Sequence, residues 1–211
     1  GSFSVPLTIK ASYYVDLFQT PENYVIVQTK SENIDTYAIR LKEVLDTVKY
    51  HTGRPKVIIV AHSMGGLVAR RYLQIFGSDT VAKLITIGTP HQGIVGDIAD
   101  YCDVIGEQRE CKDMNAESVF INKLNSGKIP SIPLHVIIGT GCEMDSVWGD
   151  GVVVEDNARL EGATNWLING TCSTFAPLHT ELLNIDRYPE VFEIVRTAIL
   201  EDRIKKEAND N

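Results

Sequence analysis

A strand–turn–helix segment in the first third of the chain constrains the fold more than any other feature. An apolar run at residues 57–60 leads into residues 61–65 (Ala-His-Ser-Met-Gly), and a run with helical character follows over residues 66–73. A serine at such a sharp turn projects its hydroxyl out of the backbone, and the small residues beside it avoid collisions. Unpaired N–H groups at the start of the next helix favour negative charge at the same place. The segment therefore predicts a nucleophilic Ser63 above an α/β sheet.

Residues 61–65 depart from the usual Gly-x-Ser-x-Gly motif at one position. Ala61 stands where glycine is usual, although alanine is the smallest replacement that carries a Cβ. The alternative interpretation is an ordinary glycine-rich turn between a strand and a helix, with no catalytic role.

Length, composition and charge narrow the class of protein. The 211 residues fit one domain, 1–211, with a sizeable core. The net charge of −8 and the lack of a basic cluster argue against a nucleic-acid partner. No apolar stretch approaches the length of a membrane span, and no signal peptide opens the chain. Gly1-Ser2 is typical of a cloning remnant, so we expect a truncated native N-terminus, and a secreted or membrane-associated location stays open.

Periodicity predicts alternating strands and helices. Strands are expected at residues 3–9, 24–27, 57–60, 81–87 and 134–138, and helices at about 34–52, 64–76 and 190–206. Ser31 or Asn33 can cap the first of these helices, Gly53 and Pro55 end it, and Gly77 can end the second. This order predicts a mostly parallel sheet with helices on both faces.

Residues 94–130 interrupt the strand–helix alternation. An apolar helical face is expected near the start of this segment, and a second helix near its end; the first face comprises Ile94, Val95, Ile98, Tyr101 and Ile105. Acidic residues lie opposite that face or follow it, namely Asp97, Asp100, Asp103, Glu107 and Glu110. We expect either a helical lid over an apolar cleft, in transient contact with neutral lipid, or a face that simply packs on the core.

A nucleophilic serine needs a base and an acid that orients the base. After a serine in such a strand–turn–helix turn, which is called a nucleophile elbow, the expected order is acid, then histidine. His135 lies within a predicted strand and His91 comes too early, so His179, in a loop near the end of the chain, is the predicted base. Asp150 lies between two glycines and is the predicted acid, with Asp145 as the alternative.

The four cysteines fit no metal motif. Cys102 and Cys111 could close a short loop, and Cys142 and Cys172 could join two loops near the predicted site. The alternative is that all four are buried or free thiols.

Four segments together resemble the lipases and lipid-anchor deacylases of the α/β-hydrolase superfamily. They are residues 60–66, 87–93, 149–153 and 179–183, in the order that these enzymes use. The resemblance implies the α/β-hydrolase fold, with Ser63 as nucleophile, Asp150 as acid and His179 as base. The Met64 N–H is the expected oxyanion donor.

The chain departs from the family pattern in one respect. These lipases carry a His-Gly turn after an early strand, where a backbone N–H supplies the second oxyanion donor, and no His-Gly pair precedes Ser63. Residues 10–12 (Lys-Ala-Ser) could replace that turn, or the turn lies upstream of this sequence.

The sequence thus predicts a serine esterase or lipase that acts on an ester or lipid without metal or organic cofactor. An acyltransferase, thioesterase or amidase would use the same triad, because the triad does not select the leaving group. A non-catalytic binding module of the same fold is a further alternative. The sequence gives no indication of the oligomeric state.

Overall fold

The computed structural model describes residues 7–19, 24–28, 32–96, 108–173 and 177–209, with side chains described outside residues 15–28 and 202–209. The strands are β1 (Val15–Gln19), β2 (Tyr24–Gln28), β3 (Val57–His62), β4 (Val81–Ile87), β5 (Leu134–Thr140), β6 (Cys142–Met144), β7 (Val147–Gly149) and β8 (Thr164–Asn169). The helices are α1 (Ile34–Thr52), α2 (Met64–Phe76), α3 (Gln108–Met114), α4 (Val119–Asn125), α5 (Glu155–Ala158), α6 (Leu178–Glu181) and α7 (Pro189–Asn209).

Among the residues that the structure describes, the main sheet has four parallel strands in the order β3-β4-β5-β8. Two antiparallel pairs, β1-β2 and β6-β7, form separate small sheets. Because parallel strands all end at one edge, the loops after β3, β4, β5 and β8 meet there. These loops carry the residues that the sequence analysis singles out.

Helices cover both faces of the main sheet. Adjacent residues of β4 show this, since Leu84 belongs to the core beneath α1 and α2, whereas Ile85 belongs to the core that includes residues of α7. Both side chains are almost fully buried. The predicted parallel sheet with helices on both faces is confirmed.

Local signals set the ends of the long helices. The Asn33 side chain accepts a hydrogen bond from the Thr36 N–H at 2.8 Å, and Gly53 ends α1 in the left-handed conformation at φ 64°. Gly77, at φ 77°, ends α2, and its N–H donates to the Leu73 carbonyl. The sequence predicted both helices and both terminal glycines.

Several strands differ from the prediction. A strand was expected at residues 3–9, but residues 7–9, the part that the structure describes, are irregular, so the prediction is wrong there. Strand β1 was missed because its sequence lacks clear alternation. The hairpin β6-β7 was expected to be a loop. Its turn residues, Asp145 and Ser146, both have positive φ, but the sequence lacks the Asn-Gly pair that usually indicates such a turn. β8 was missed within a stretch that was expected to be irregular.

Backbone hydrogen bonds join the first residue of the segment 94–130 to residues 114 and 116. The Ile94 N–H donates to the Met114 carbonyl at 2.8 Å, and the Ala116 N–H donates to the Ile94 carbonyl at 3.1 Å. Helix α4 matches the second predicted helix of this segment, and α3 was not predicted. The predicted lid face at Ile98, Tyr101 and Ile105 lies outside the described residues.

Glu110 does not lie on an acidic outer surface of that segment. Its side chain is buried, and its carboxylate accepts a hydrogen bond from the Tyr37 hydroxyl at 2.5 Å. Nearby, the Asp113 carboxylate accepts a hydrogen bond from the Ile34 N–H at 2.8 Å. Helix α3 is therefore fixed to the start of α1 by two polar contacts.

Candidate active site

Ser63 occupies a strained turn between β3 and α2. Its backbone has φ 52° and ψ −131°, a combination that is uncommon for a residue with a side chain. Hydrogen bonds hold the turn on both sides, because the Ser63 N–H donates to the Ile87 carbonyl at 2.9 Å and the Ser63 carbonyl accepts from the Gly66 N–H at 3.0 Å. The turn directs the hydroxyl towards the carboxyl edge of the sheet.

Three side chains from different loops form one chain of hydrogen bonds. The Ser63 Oγ lies 2.9 Å from the His179 Nε2, and the His179 Nδ1 lies 2.7 Å from the Asp150 Oδ2. Asp150 and His179 are buried, at 1% and 5% exposure. A carboxylate on Nδ1 selects the tautomer that leaves Nε2 free to accept the serine proton. The three residues predicted from the sequence thus lie together.

The loop after β7 orients the Asp150 carboxylate. Its Oδ1 accepts hydrogen bonds from the backbone N–H groups of Val152 at 3.0 Å and Val153 at 2.7 Å. Gly151 has φ 89°, which allows the chain to turn back sharply enough for these contacts. The carboxylate therefore has one oxygen bound by the backbone and the other facing the imidazole.

His62 supports the imidazole from the elbow strand. Its Nε2 lies 2.9 Å from the main-chain carbonyl oxygen of His179, and the two ring centroids are 4.8 Å apart. Because a carbonyl can only accept, the neutral His62 ring donates from Nε2. Burial, and then the neighbouring His179, lower the pKa of His62, so the ring is neutral at pH 7. The sequence analysis quoted His62 only as part of the motif.

Two glycines leave space for the buried pair. A Cβ on Gly88 would lie 3.1 Å from the His179 Nδ1 and 3.2 Å from the Asp150 Oδ2. A Cβ on Gly139 would lie 2.7 Å from the Asp150 Cβ. Gly88 directly follows β4 and Gly139 is the penultimate residue of β5, and these positions at the carboxyl edge of the sheet could have indicated this role.

A disulfide bond joins Cys142 and Cys172, as one of the sequence alternatives expected. It lies against the acid loop, since a Cβ on Gly151 would be 2.8 Å from the Cys172 sulfur. Cys111 is also disulfide-bonded, whereas Cys102 lies outside the described residues. The alternative of free thiols is wrong for Cys111, Cys142 and Cys172.

Residues near the elbow bear on oxyanion binding. Helix α2 begins at Met64, so the Met64 N–H is one of the first-turn donors without an intrahelical partner four residues earlier. The Tyr13 hydroxyl lies 3.4 Å from the position that a Cβ on Gly65 would take. Residues 10–12 therefore directly precede Tyr13, whose hydroxyl lies beside the elbow at Gly65.

The other sequence candidates have different surroundings. His91 is fully buried, where its Nε2 contacts the Thr86 hydroxyl at 3.0 Å and its Nδ1 lies 3.4 Å from the Arg70 guanidinium. His135 is buried on β5, near Glu201. Asp145 is exposed at the tip of the β6-β7 hairpin. None of these three joins the Ser63 hydrogen-bond chain.

Within the described residues, no group of three His, Cys, Asp or Glu side chains is arranged to hold a metal ion. None of the helices in that part of the chain is both long and apolar enough to cross a membrane.

Part of this chain is similar in sequence to known proteins. The family model described as alpha/beta hydrolase fold matches residues 20–108. Phospholipase A(1) LCAT3 of Arabidopsis thaliana is 40% identical over 74 residues, which are 34% of this chain and 17% of that protein. The chain thus spans less than a fifth of this curated relative.

Solved structures extend the similarity over most of the chain. The mature lipase BlEst2 of Bacillus licheniformis superposes with a TM-score of 0.59 at 22% identity, covering 78% of this chain and 76% of the lipase. The product of gene lin2722 of Listeria innocua gives a TM-score of 0.56 at 18% identity, covering 81% of this chain and 68% of that protein. Similarity at this level identifies the fold.

Proposed function

Because this chain is an α/β hydrolase by fold, we propose that it is a serine hydrolase that cleaves carboxylic esters. The observation that supports the proposal is the continuous hydrogen-bond chain from Ser63 through His179 to Asp150. Its distances suit proton transfer, and two of its members are buried away from water. A solvated surface serine would have neither property.

In the proposed mechanism, Ser63 Oγ attacks the ester carbonyl while His179 Nε2 accepts the hydroxyl proton. Asp150 holds the ring and stabilises the imidazolium that forms. His179 then donates the proton to the leaving alcohol, which leaves an acyl group on Ser63. Water adds to that acyl group with His179 as base, and the carboxylic acid and free Ser63 result.

The oxyanion of each tetrahedral intermediate is proposed to lie at the start of α2. The Met64 N–H is the first donor, supported by the partial positive charge of the helix N-terminus. For the second donor we propose a backbone N–H of residues 10–12, because the chain from there leads to Tyr13 beside Gly65.

A lipid ester is the proposed substrate class. The supporting observations are the similarity to a plant phospholipase A1 over 74 residues and the fold similarity to a bacterial lipase. We further propose that the segment 94–130, whose base is closed at Ile94 and Ala116, acts as a lid over the acyl chain in transient contact with lipid. A lipid-anchor deacylase is the second candidate, and an acyltransferase, thioesterase or amidase would use the same residues.

Hydrolysis of p-nitrophenyl butyrate tests the reaction, with a fluorophosphonate label located by mass spectrometry. The expected result is labelling at Ser63 and turnover that is lost in Ser63→Ala. Ser146→Ala is the matched control, because Ser146 also has a positive φ but lies exposed on a hairpin. Folded protein without label or turnover would instead indicate a binding module of hydrolase fold.

Substrate panels test the finer proposals. Comparing esters with thioesters and amides identifies the leaving group, and short against long acyl chains tests the lid. Replacing residues 97–107 by a Gly-Ser linker, with Cys111→Ser in the same variant, should weaken the preference for long chains. An unchanged chain-length preference would contradict the lid.

A further inference from the structure

We propose that His62 is a positioning residue whose ring holds the main chain of His179 and thereby sets the distance between base and nucleophile. This inference rests on the proposed serine hydrolase function. It concerns the residue directly before Ser63, whose side chain lies beside the hydrogen-bond chain without being one of its three members.

Two hydrogen bonds of His179, together with the peptide bond between His62 and Ser63, form a closed cycle. The His62 Nε2 donates to the His179 carbonyl oxygen at 2.9 Å, and the His179 Nε2 contacts the Ser63 Oγ, also at 2.9 Å. The two hydrogen bonds therefore connect His179 to two consecutive residues, His62 and Ser63. The backbone and the ring of His179 are therefore both held by the elbow.

A second pair of contacts connects the base to the acid loop. The His179 N–H donates to the Asp150 carbonyl at 2.8 Å, and the His179 Nδ1 contacts the Asp150 Oδ2 at 2.7 Å. The main-chain contacts with Asp150 and His62 thus hold the N–H and the carbonyl of His179, respectively. Helix α6, which carries His179, has only four residues and cannot fix the ring by itself.

The charge of His62 suits this role. His179 becomes an imidazolium during the reaction, and a second cation at a ring separation of 4.8 Å would repel it. Burial and then the charge of the neighbouring His179 lower the pKa of His62, whereas the hydrogen bond to the His179 carbonyl and then Asp150 raise it by smaller amounts. A neutral ring offers an N–H donor without adding charge, which a lysine or arginine at this position could not do.

Two neutral variants separate positioning from packing. His62→Gln retains an amide N–H close to the position of Nε2, whereas His62→Leu retains the volume without a donor. For p-nitrophenyl butyrate we expect kcat to fall about tenfold in His62→Leu with KM within about twofold, since the loss is one neutral hydrogen bond felt at the reaction centre. His62→Gln should recover most of that loss. His51→Leu, at an exposed histidine of α1, is the control and should match the parent enzyme.

The outcomes are distinguishable. Equal kcat for His62→Leu and the parent enzyme would overturn the inference, as would equal losses in the Leu and Gln variants at equal melting temperature, which would indicate packing alone. If the parent enzyme itself neither turns over ester nor labels at Ser63, the proposed function fails and His62 is not responsible. The fluorophosphonate labelling rate of Ser63 should follow kcat across the variants.

Discussion

The hydroxyl of Thr89 donates a hydrogen bond to the main-chain carbonyl of Ser63 at 2.8 Å. Thr89 is fully buried, and a Cβ on Gly66 would lie 2.2 Å from its Oγ1, so the close approach of α2 depends on that glycine. The loop after β4 therefore holds the strained conformation of the elbow through the main-chain carbonyl of Ser63.

Removing this brace should reduce the reactivity of Ser63. Thr89→Val keeps the shape of the side chain but loses the donor, and one net hydrogen bond corresponds to about a fivefold change. We expect the rate of fluorophosphonate labelling to fall by about that factor in Thr89→Val and to stay closer to the parent in Thr89→Ser. If Val and Ser label equally fast, the hydroxyl does not support the elbow.

Gly88→Ala should disrupt the pairing of His179 with Asp150. The new methyl group would lie 3.1–3.2 Å from atoms of both side chains, so the imidazole must move. A displacement of about 1 Å can cost roughly a hundredfold in rate, and these contacts require shifts of only a few tenths of an ångström, so we expect a smaller loss in kcat, of about threefold to tenfold.

Gly53→Ala is the matched control for backbone strain. Gly53 has φ 64° and Gly88 has φ 55°, but a Cβ on Gly53 meets nothing within 4 Å. Both variants should lose stability in urea unfolding because of the positive φ, Gly88→Ala the more because its methyl group also crowds buried side chains, and only Gly88→Ala should lose activity. Comparable activity in the two variants would show that the contact with the imidazole is unimportant.

The sequence predicted the elements whose signals are local. Helix α1 has a capping Asn33 and a terminal Gly53, and the order of motifs led to Ser63, Asp150 and His179. Strand β8 was missed because its apolar residues do not alternate with polar ones; the adjacent Trp166 and Leu167 are both exposed there. Contacts such as that between His62 and the His179 carbonyl join residues 117 positions apart, which no local pattern encodes.

Breaking the Cys142–Cys172 disulfide should reduce both stability and activity. The bridge closes a segment of 30 residues that includes Asp150, and such links commonly contribute about 3 kcal/mol to the free energy of unfolding. Its contact with Gly151 also supports the acid loop. We expect the variant Cys142→Ser/Cys172→Ser to unfold at lower urea and to hydrolyse ester more slowly.

Treatment with a reductant separates this bridge from the disulfide at Cys111. Cys172 is exposed, so a small thiol can reach the bond. Reduction should lower the activity of the parent enzyme towards that of the double variant and change the double variant little. A large further loss in the double variant would assign the effect to Cys111 instead.

The stability of the protein should fall between pH 7.5 and pH 5.5 because of His91. Complete burial, and then the Arg70 guanidinium, hold the pKa of His91 well below its ordinary value of 6.5. Below that value the unfolded chain binds a proton that the native ring does not accept. The free energy of unfolding is therefore highest above pH 6.5 and decreases as the pH falls towards the native pKa, by at most about 1.4 kcal/mol for one site over this interval.

Urea unfolding of His91→Gln at both pH values tests this assignment. Glutamine retains a donor for the Thr86 hydroxyl, so the variant should fold, with lower stability at pH 7.5. The difference between the two pH values should shrink, because no proton uptake remains at this position. In His51→Gln, which changes an exposed histidine, the difference should persist. If the parent protein and His91→Gln lose the same stability on acidification, His91 is not the group that titrates, and the partly buried His62 becomes the group to test.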